Sequence, residues 1–561
     1  MIDVTVLSAV PPWVVYLVAA VLVSVLPRQL GTVTAVGLVG ATVPWVLAVP
    51  AGATVAVSPF GFDQVLFRVD GLTRPVAALF GFVAAVNVLY GYATDADTRQ
   101  TVYSLTYMGA GVAAVLAGDW LTLLVAWELL AVTATILVWH YGGDAVRPAF
   151  RYAVYHLVGG AFIVAAVALH YVAAGTFLYD GGFTTGLPTT LALVGVGINL
   201  GFVGLHAWLP DTYARPHVAA SVVLAAFTTK VAVYTLARLI PDGNVLVAWM
   251  GGAMVLYGVT QAVLQTDMRR LLSYHIISQV GYMTVAIGIG TAAGVTGAFA
   301  HLTANVLYKG LLFMVAGAII VRTGEASLKR LGGLAPAMPL TFVAFLVAAL
   351  AITGAPGFSG FVSKGLVTKA VENAGGELLW WALVVGGVGT VLSFVKFGYY
   401  AFVRPASEPR RVAPVSPALS LSLVVVAVPS VVFGVLPATF LGAFAGDPGG
   451  FDPYAASELT KAVAVVAVGI VAFAVLRRPL GRVPVVDIDR VLHPFAARVA
   501  TETSAFAIRV GVKVALARSR VVDRLTSGVG RDPETADTAL HVAIGALVAT
   551  TALALVVATL A

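Results

Sequence analysis

Cysteine is absent from the 561 residues. That excludes disulfides, thiolate metal sites, iron–sulfur ligation and a cysteine nucleophile. Charge is scarce as well: 11% of residues are charged and 60% are hydrophobic, where a soluble domain carries roughly a quarter charged residues. Such a chain cannot clothe a water-facing surface, so the bilayer is its solvent. No soluble basic domain exists to carry the net charge of +7, which argues against a nucleic-acid partner and asks for the basic residues to be read by position. A cleaved leader is not expected either. The first apolar stretch, Pro12 to Leu26, follows Met1-Ile2-Asp3 without a basic residue and reads as an uncleaved span.

What is present is a near-continuous series of apolar windows, about sixteen of them at the length a helix needs to cross a membrane. The fold class is therefore all-α, a multi-pass protein of the cell membrane. Linkers sort by charge. Arg28, Arg99, Arg147 with Arg151, Arg269 with Arg270, Arg322 with Lys329 and Arg330, Arg404 with Arg410 and Arg411, and Arg477 with Arg478 follow alternate spans. Asp180, Asp242, Glu377, Asp447, Asp452 and Glu458 follow the others, and Arg68 and Arg215 are exceptions. By the positive-inside rule both termini face away from the cytoplasm. Residues 487–527 differ, with seven basic residues between Arg490 and Arg524. Arg498, Glu502, Arg509, Lys513, Arg520, Asp523 and Arg524, though not Arg518, fall in a narrow helical stripe, the pattern of an amphipathic helix lying in the cytoplasmic interface.

Two spans carry helix breakers. His206-Ala207-Trp208-Leu209-Pro210 ends one, and Thr353-Gly354-Ala355-Pro356-Gly357-Phe358-Ser359-Gly360 interrupts another. Unwound backbone at membrane depth persists only where protein or water satisfies it, and a pair of interrupted spans points to a transport site.

Charged groups in mid-span mark the same chemistry. Glu128, Lys230, Lys309 and Lys364 all sit inside apolar windows. Each disfavours insertion by ~2.5–3.5 kcal/mol, so the four together oppose it by about 10 kcal/mol. His301, Asn305 and Lys309 recur at i, i+4 and i+8 and share one helix face. A lysine in a dry site whose partner carboxylate moves can release and recover a proton, and histidine can relay one. Lys364 can alternatively cap carbonyls freed by the break beside it. Lys396 lies near enough to a span end to snorkel, and His140, His156 and His170 read as isolated structural histidines.

These residues carry a resemblance. Trp127-Glu128-Leu129, His206-Ala207-Trp208-Leu209-Pro210-Asp211, Leu236-Ala237-Arg238-Leu239, Ser278-Gln279-Val280-Gly281-Tyr282 and Ser359-Gly360-Phe361-Val362-Ser363-Lys364 together resemble the antiporter-like subunits, in this order and over roughly residues 60–405. That family comprises the large proton-pumping subunits of respiratory complex I, membrane-bound hydrogenases, and the A and D subunits of Mrp-type Na+/H+ antiporters; Thr228-Thr229-Lys230-Val231-Ala232-Val233-Tyr234 is most similar to the Mrp D subunit. The resemblance implies two inverted five-helix repeats with broken helices around a central polar axis. It implies N-terminal spans in 1–100, a translocating core in 101–405, accessory spans in 406–480, the interfacial helix in 481–530 and a final span in 531–561. Carried over by position, Glu128 is the family glutamate, Lys230 the central lysine of the first half, Lys364 the broken-helix lysine of the second, and His301 with Lys309 the bridging helix.

Two positions depart from the pattern. Asn199 stands where the family has a lysine, eleven residues before Pro210, and Asn305 stands where it often has a second histidine. Asn cannot carry a proton. Glu128 thus loses one cationic partner and is expected to pair with Lys230 alone, with His206 or His156 as substitutes in relay or gating. The implied function is proton or cation translocation within a multisubunit complex, foremost an Mrp-like cation/proton antiporter. A redox-driven complex I-like or hydrogenase assembly and a non-pumping scaffold are the alternatives. Expected partners are other membrane subunits, protons, Na+ and lipid; no cofactor and no metal are expected, and no catalytic chemistry of the chain's own.

Overall fold

The computed structural model describes residues 11–480 apart from 180, 407–411 and 445, together with 483, 487 and 488. The amphipathic helix expected over 481–530 and the final span over 531–561 lie outside the described residues.

Helices dominate, in the order α1 (Trp13–Val25), α2 (Arg28–Gly40), α3 (Thr42–Ala48), α4 (Thr73–Ala93), α5 (Thr98–Leu116), α6 (Trp120–Trp139), α7 (Val146–Ala174) and α8 (Leu187–Leu200). Then follow α9 (Trp208–Ala214), α10 (Val218–Ala226), α11 (Thr228–Leu239), α12 (Val245–Leu264), α13 (Met268–Gly288) and α14 (Ala292–Thr323). The series ends with α15 (Leu334–Ala337), α16 (Pro339–Thr353), α17 (Ser359–Asn373), α18 (Glu377–Gly398), α19 (Pro417–Val435), α20 (Pro437–Leu441) and α21 (Ala456–Leu480). Among the described residues ten helical stretches are long and apolar enough to cross a membrane, and α1, α8 and α16 are shorter apolar helices. The chain is a multi-pass membrane protein.

One element was not legible as structure in the sequence. Between α3 and α4 an antiparallel hairpin forms from β1 (Thr54–Val57) and β2 (Gln64–Arg68). Asp119, at the N-cap of α6, ties it down: its carboxylate accepts the Val65 N–H at 2.5 Å and the Thr122 N–H at 2.8 Å.

The middle of the bundle is α13 and α14. Every residue of α13 from Leu271 to Gly288 is buried, and so is nearly all of α14. Lipid offers no hydrophobic drive for helix association, so close packing has to come from small residues. Gly251 of α12 meets Gly281 of α13, Gly258 of α12 meets Tyr274 and Ser278, and Gly288 of α13 meets Ala248. A methyl group on Gly258 would lie 2.5 Å from the Ser278 nitrogen, and one on Gly288 2.5 Å from the Ala248 nitrogen. Glycine at these four positions lets the two backbones touch.

Charge sorts to two rims. At one, Asp211 bridges Arg151 and Arg270 at 3.2 and 2.6 Å, and Arg404 donates to the Leu331 carbonyl at 2.8 Å. At the other, Arg238 holds Asp70 at 2.5 Å. Asp70 lies in the turn before α4. Burial pushes its carboxyl up, but the Arg238 charge and the Thr73 N–H and hydroxyl outweigh that and hold it below the usual carboxylate range.

Candidate functional site

Three helix breaks organise the polar interior. The first separates α8 from α9: Gly201 and Gly204 adopt φ of +77° and +95°, which only glycine takes readily, and the chain turns out of the helix there. Trp208, starting α9, donates its indole N–H back to the Ile198 carbonyl at 2.9 Å. Asn199 is buried beside it, and its Oδ1 has no hydrogen-bond partner. His156 of α7 stacks on Tyr152 at 3.7 Å and meets Trp208 edge-on at 4.7 Å. Its Nδ1 contacts the Tyr152 carbonyl at 2.9 Å, while Nε2 is unpartnered. His206 accepts the Gly204 N–H and lies edge-on to the Tyr257 ring.

The second break, between α10 and α11, has no Gly or Pro. Phe227 interrupts the helix, packing on Phe80 at a centroid distance of 4.2 Å and against Gly111, where no side chain would fit. The Thr228 N–H is taken by the Tyr107 hydroxyl at 3.0 Å. Lys230 uses the interruption: its ammonium donates to the Ala225 carbonyl at 2.8 Å and the Thr229 hydroxyl at 3.1 Å. Tyr152 reaches the Thr228 hydroxyl at 3.2 Å, which brings the His156 cluster to the turn bearing Lys230.

Glu128 does not pair with Lys230 in this structure. Its carboxylate lies against Gly160 of α7, with Oε1 buried and unpartnered. Lys230 meanwhile is satisfied by backbone oxygen at its own break. The pairing expected from the sequence presumed that a lone carboxylate and a lone ammonium in one half would meet; the freed carbonyl supplies the ammonium with a closer acceptor.

The third break, between α16 and α17, runs through Gly354 and Gly357 at φ of +78° and +92°. Lys364 donates to the Ile352 carbonyl at 2.6 Å and lies over the Tyr282 ring at 5.0 Å. Lys230 and Lys364 thus share one arrangement: a buried ammonium on a carbonyl in the last turn of a terminated helix, where the helix dipole favours a cation. Capping the break is a role that Lys364 does perform.

A buried hydrogen-bond chain leads to the third break. Asn305 donates to the Tyr308 hydroxyl at 3.1 Å; that hydroxyl donates to Gln279 at 3.2 Å and lies 3.4 Å from His301 Nε2. His301 Nδ1 meets the Ser363 hydroxyl at 3.0 Å, one residue from Lys364. His301 and Asn305 therefore work in one network, as their shared face implies. Lys309 of the same face turns elsewhere, donating to the Leu272 carbonyl at 2.9 Å and lying 5.8 Å from the centre of the Phe394 ring. His275 tilts against the same ring at 4.9 Å, fully buried, with neither nitrogen partnered. Sequence reading missed His275 and Tyr308, and gave no role to Gln279 and Ser363, which stand in the quoted motifs. Among the described residues no group of three or more metal-ligating side chains gathers.

Residues 117–393 match the family described as NADH:quinone oxidoreductase/Mrp antiporter, TM. The chain is 30% identical to the N subunit of the NADH-quinone oxidoreductase of Desulforudis audaxviator, over 64% of this chain and 77% of that one. It is 30% identical to the D subunit of the Na(+)/H(+) antiporter of Alkalihalophilus pseudofirmus, over 62% of this chain and 74% of the relative. Among solved structures, a chain of the Mrp complex from Dietzia sp. superposes with a TM-score of 0.68 at 22% identity, covering 84% of this chain and 99% of that one.

Proposed function

This chain belongs to the NADH:quinone oxidoreductase/Mrp antiporter transmembrane family, and from that premise we propose that it is an ion-translocating membrane subunit of a multisubunit complex, exchanging protons for a monovalent cation such as Na+. The observation that carries the reading is the pair of lysines at helix breaks, Lys230 and Lys364, with the His301–Ser363 contact at 3.0 Å leading to the second of them. Each ammonium has donors to spare beyond its carbonyl. A proton leaving Lys364 gives a neutral amine that recovers one from the His301 side through the Ser363 hydroxyl. Lys230 and Lys309 hold the corresponding stations of the first half and the bridge. The two halves are inverted five-helix repeats, and about sixteen spans complete the chain once its final segment is included.

Similarity at 30% identity to an N subunit of NADH-quinone oxidoreductase favours a second reading, in which redox chemistry in partner subunits drives the same fold. Purification of the intact complex from native membranes distinguishes them. Small hydrophobic antiporter subunits and proton movement driven by a Na+ gradient support exchange; flavin or iron–sulfur subunits and proton movement driven only by electron donors support the redox reading.

A further inference from the structure

Helix α21 lies beyond the residues that match the family, and most of it faces outward: among its side chains Glu458 and Phe473 are buried, with Gly469 the third buried position. A carboxylate turned inward from an otherwise apolar helix costs free energy and needs a reason. Glu458 is 7% exposed and lines a cavity of about 80 Å³ that Lys364 also lines. One water needs roughly 10–15 Å³ of such space, so a short file of waters fits. Thr368, Val465 and Trp380 line it too, and the Trp380 indole N–H has no protein acceptor.

A cluster of ion pairs borders this cavity. Lys461 donates to Glu458 at 3.1 Å and to Glu372 of α17 at 3.0 Å, and Lys369 holds Glu372 at 3.2 Å. Glu372 and Lys461 side chains are 42% and 35% exposed, while Glu458 is behind them. Lys461 therefore stands between one carboxylate inside the cavity and one at its rim. The rim lies at the end of α17 and the start of α21, on the side away from the Arg-rich rim, which the distribution of basic residues assigns to the outside.

We propose that Glu458 and Lys461 form an ion-pair gate at the outer mouth of a water-filled passage that connects Lys364 to the non-cytoplasmic side. The inference rests on Lys364 being a transfer residue. A proton leaves the Lys364 ammonium for cavity water, giving a neutral amine and hydronium. When Lys461 releases Glu458 and keeps only Glu372, the Glu458 carboxylate accepts that proton. It then discharges it to outer water, is restored as a carboxylate, and recaptures Lys461. Glu458 carries the proton after it leaves Lys364, and Lys461 is the positioning residue that sets when Glu458 can take it up.

The chain has no native thiols, so a cysteine at Thr368, inside the cavity, reports access directly. The intact complex in vesicles of known orientation is treated with an impermeant charged thiol reagent, and labelling of this chain is read on a gel beside transport. Thr368→Cys is expected to label from the outer side only, several-fold faster when combined with Lys461→Ala. Glu458→Gln is expected to slow transport to about a tenth or below, the scale of a lost proton-transfer group, with Glu458→Asp retaining more activity at equal protein amounts. Unchanged transport in Glu458→Gln, or labelling that ignores Lys461, overturns the gate while Lys364→Ala remains inactive. Full transport in Lys364→Ala removes the premise as well.

Discussion

The Glu128 carboxylate rests on the backbone of Gly160 so closely that a methyl group there would overlap Oε1 and lie 3.0 Å from Oε2. Glycine at 160 leaves the room that the carboxylate occupies in this position. Gly160→Ala is expected to displace the carboxylate and reduce transport while leaving assembly intact, because glycine to alanine otherwise favours a helix. Shortening the acid, as Glu128→Asp, should restore part of the loss. Equal transport in Gly160→Ala and the parent would show that the carboxylate has another place to go.

Asn199 offers a second test of the first half. Its Oδ1 is buried without a partner, and Glu128 has no ion pair among the described residues. Asn199→Lys is expected to change the pH dependence of transport only when Glu128 is intact. Coupled positions depart from additivity by about 0.5–3 kcal/mol, and independent ones do not. Additive effects of Asn199→Lys and Glu128→Gln would mean that the two positions do not communicate.

His275 is fully buried with both ring nitrogens unpartnered. Buried polar atoms without partners are few in native proteins and are a cost to folding. Replacing His275 by leucine removes no hydrogen bond, so thermal stability should hold or rise by about 1 kcal/mol. Transport should fall, since the ring lies beside Lys309 on the Phe394 face. Loss of stability together with unchanged transport would make His275 a packing residue.

Much of this was legible in the sequence, and the exceptions have physical causes. The α16–α17 break announced itself in Gly354, Pro356 and Gly357, and Lys364 followed from it. Phe227 gave no such signal; its break is imposed by Tyr107, Phe80 and Gly111 from other helices. Spacing put His301, Asn305 and Lys309 on one face, but Lys309 departs because the Leu272 carbonyl of α13 is within its reach. The His301–Ser363 contact joins residues 62 apart, which no local period encodes. Glu128 without Lys230 is a tertiary outcome of the same kind.

Asp70 links the turn before α4 to the end of α11. Its folded pKa is held down, so the pair contributes stability that is present above the ordinary carboxylate range and lost as pH falls through the folded value. Asp70→Asn leaves Arg238 partly buried and unpaired, which should cost up to about 3 kcal/mol. In detergent, the melting temperature of the parent should drop as pH is lowered through the acid range, while that of Asp70→Asn should start lower and change less. Parallel profiles for the two proteins would count against the pair.

Proton movement into vesicles carrying the assembled complex, measured with Lys230→Ala and with Lys364→Ala, bears most directly on the two break lysines as stations of translocation. Each substitution leaves a helix-terminal carbonyl uncapped but removes no packed apolar core, so normal amounts of complex are expected. Transport is expected to fall to about a tenth or below in both. Undiminished transport in either, at normal amounts of assembled complex, would contradict the assignment of that lysine to the ion path.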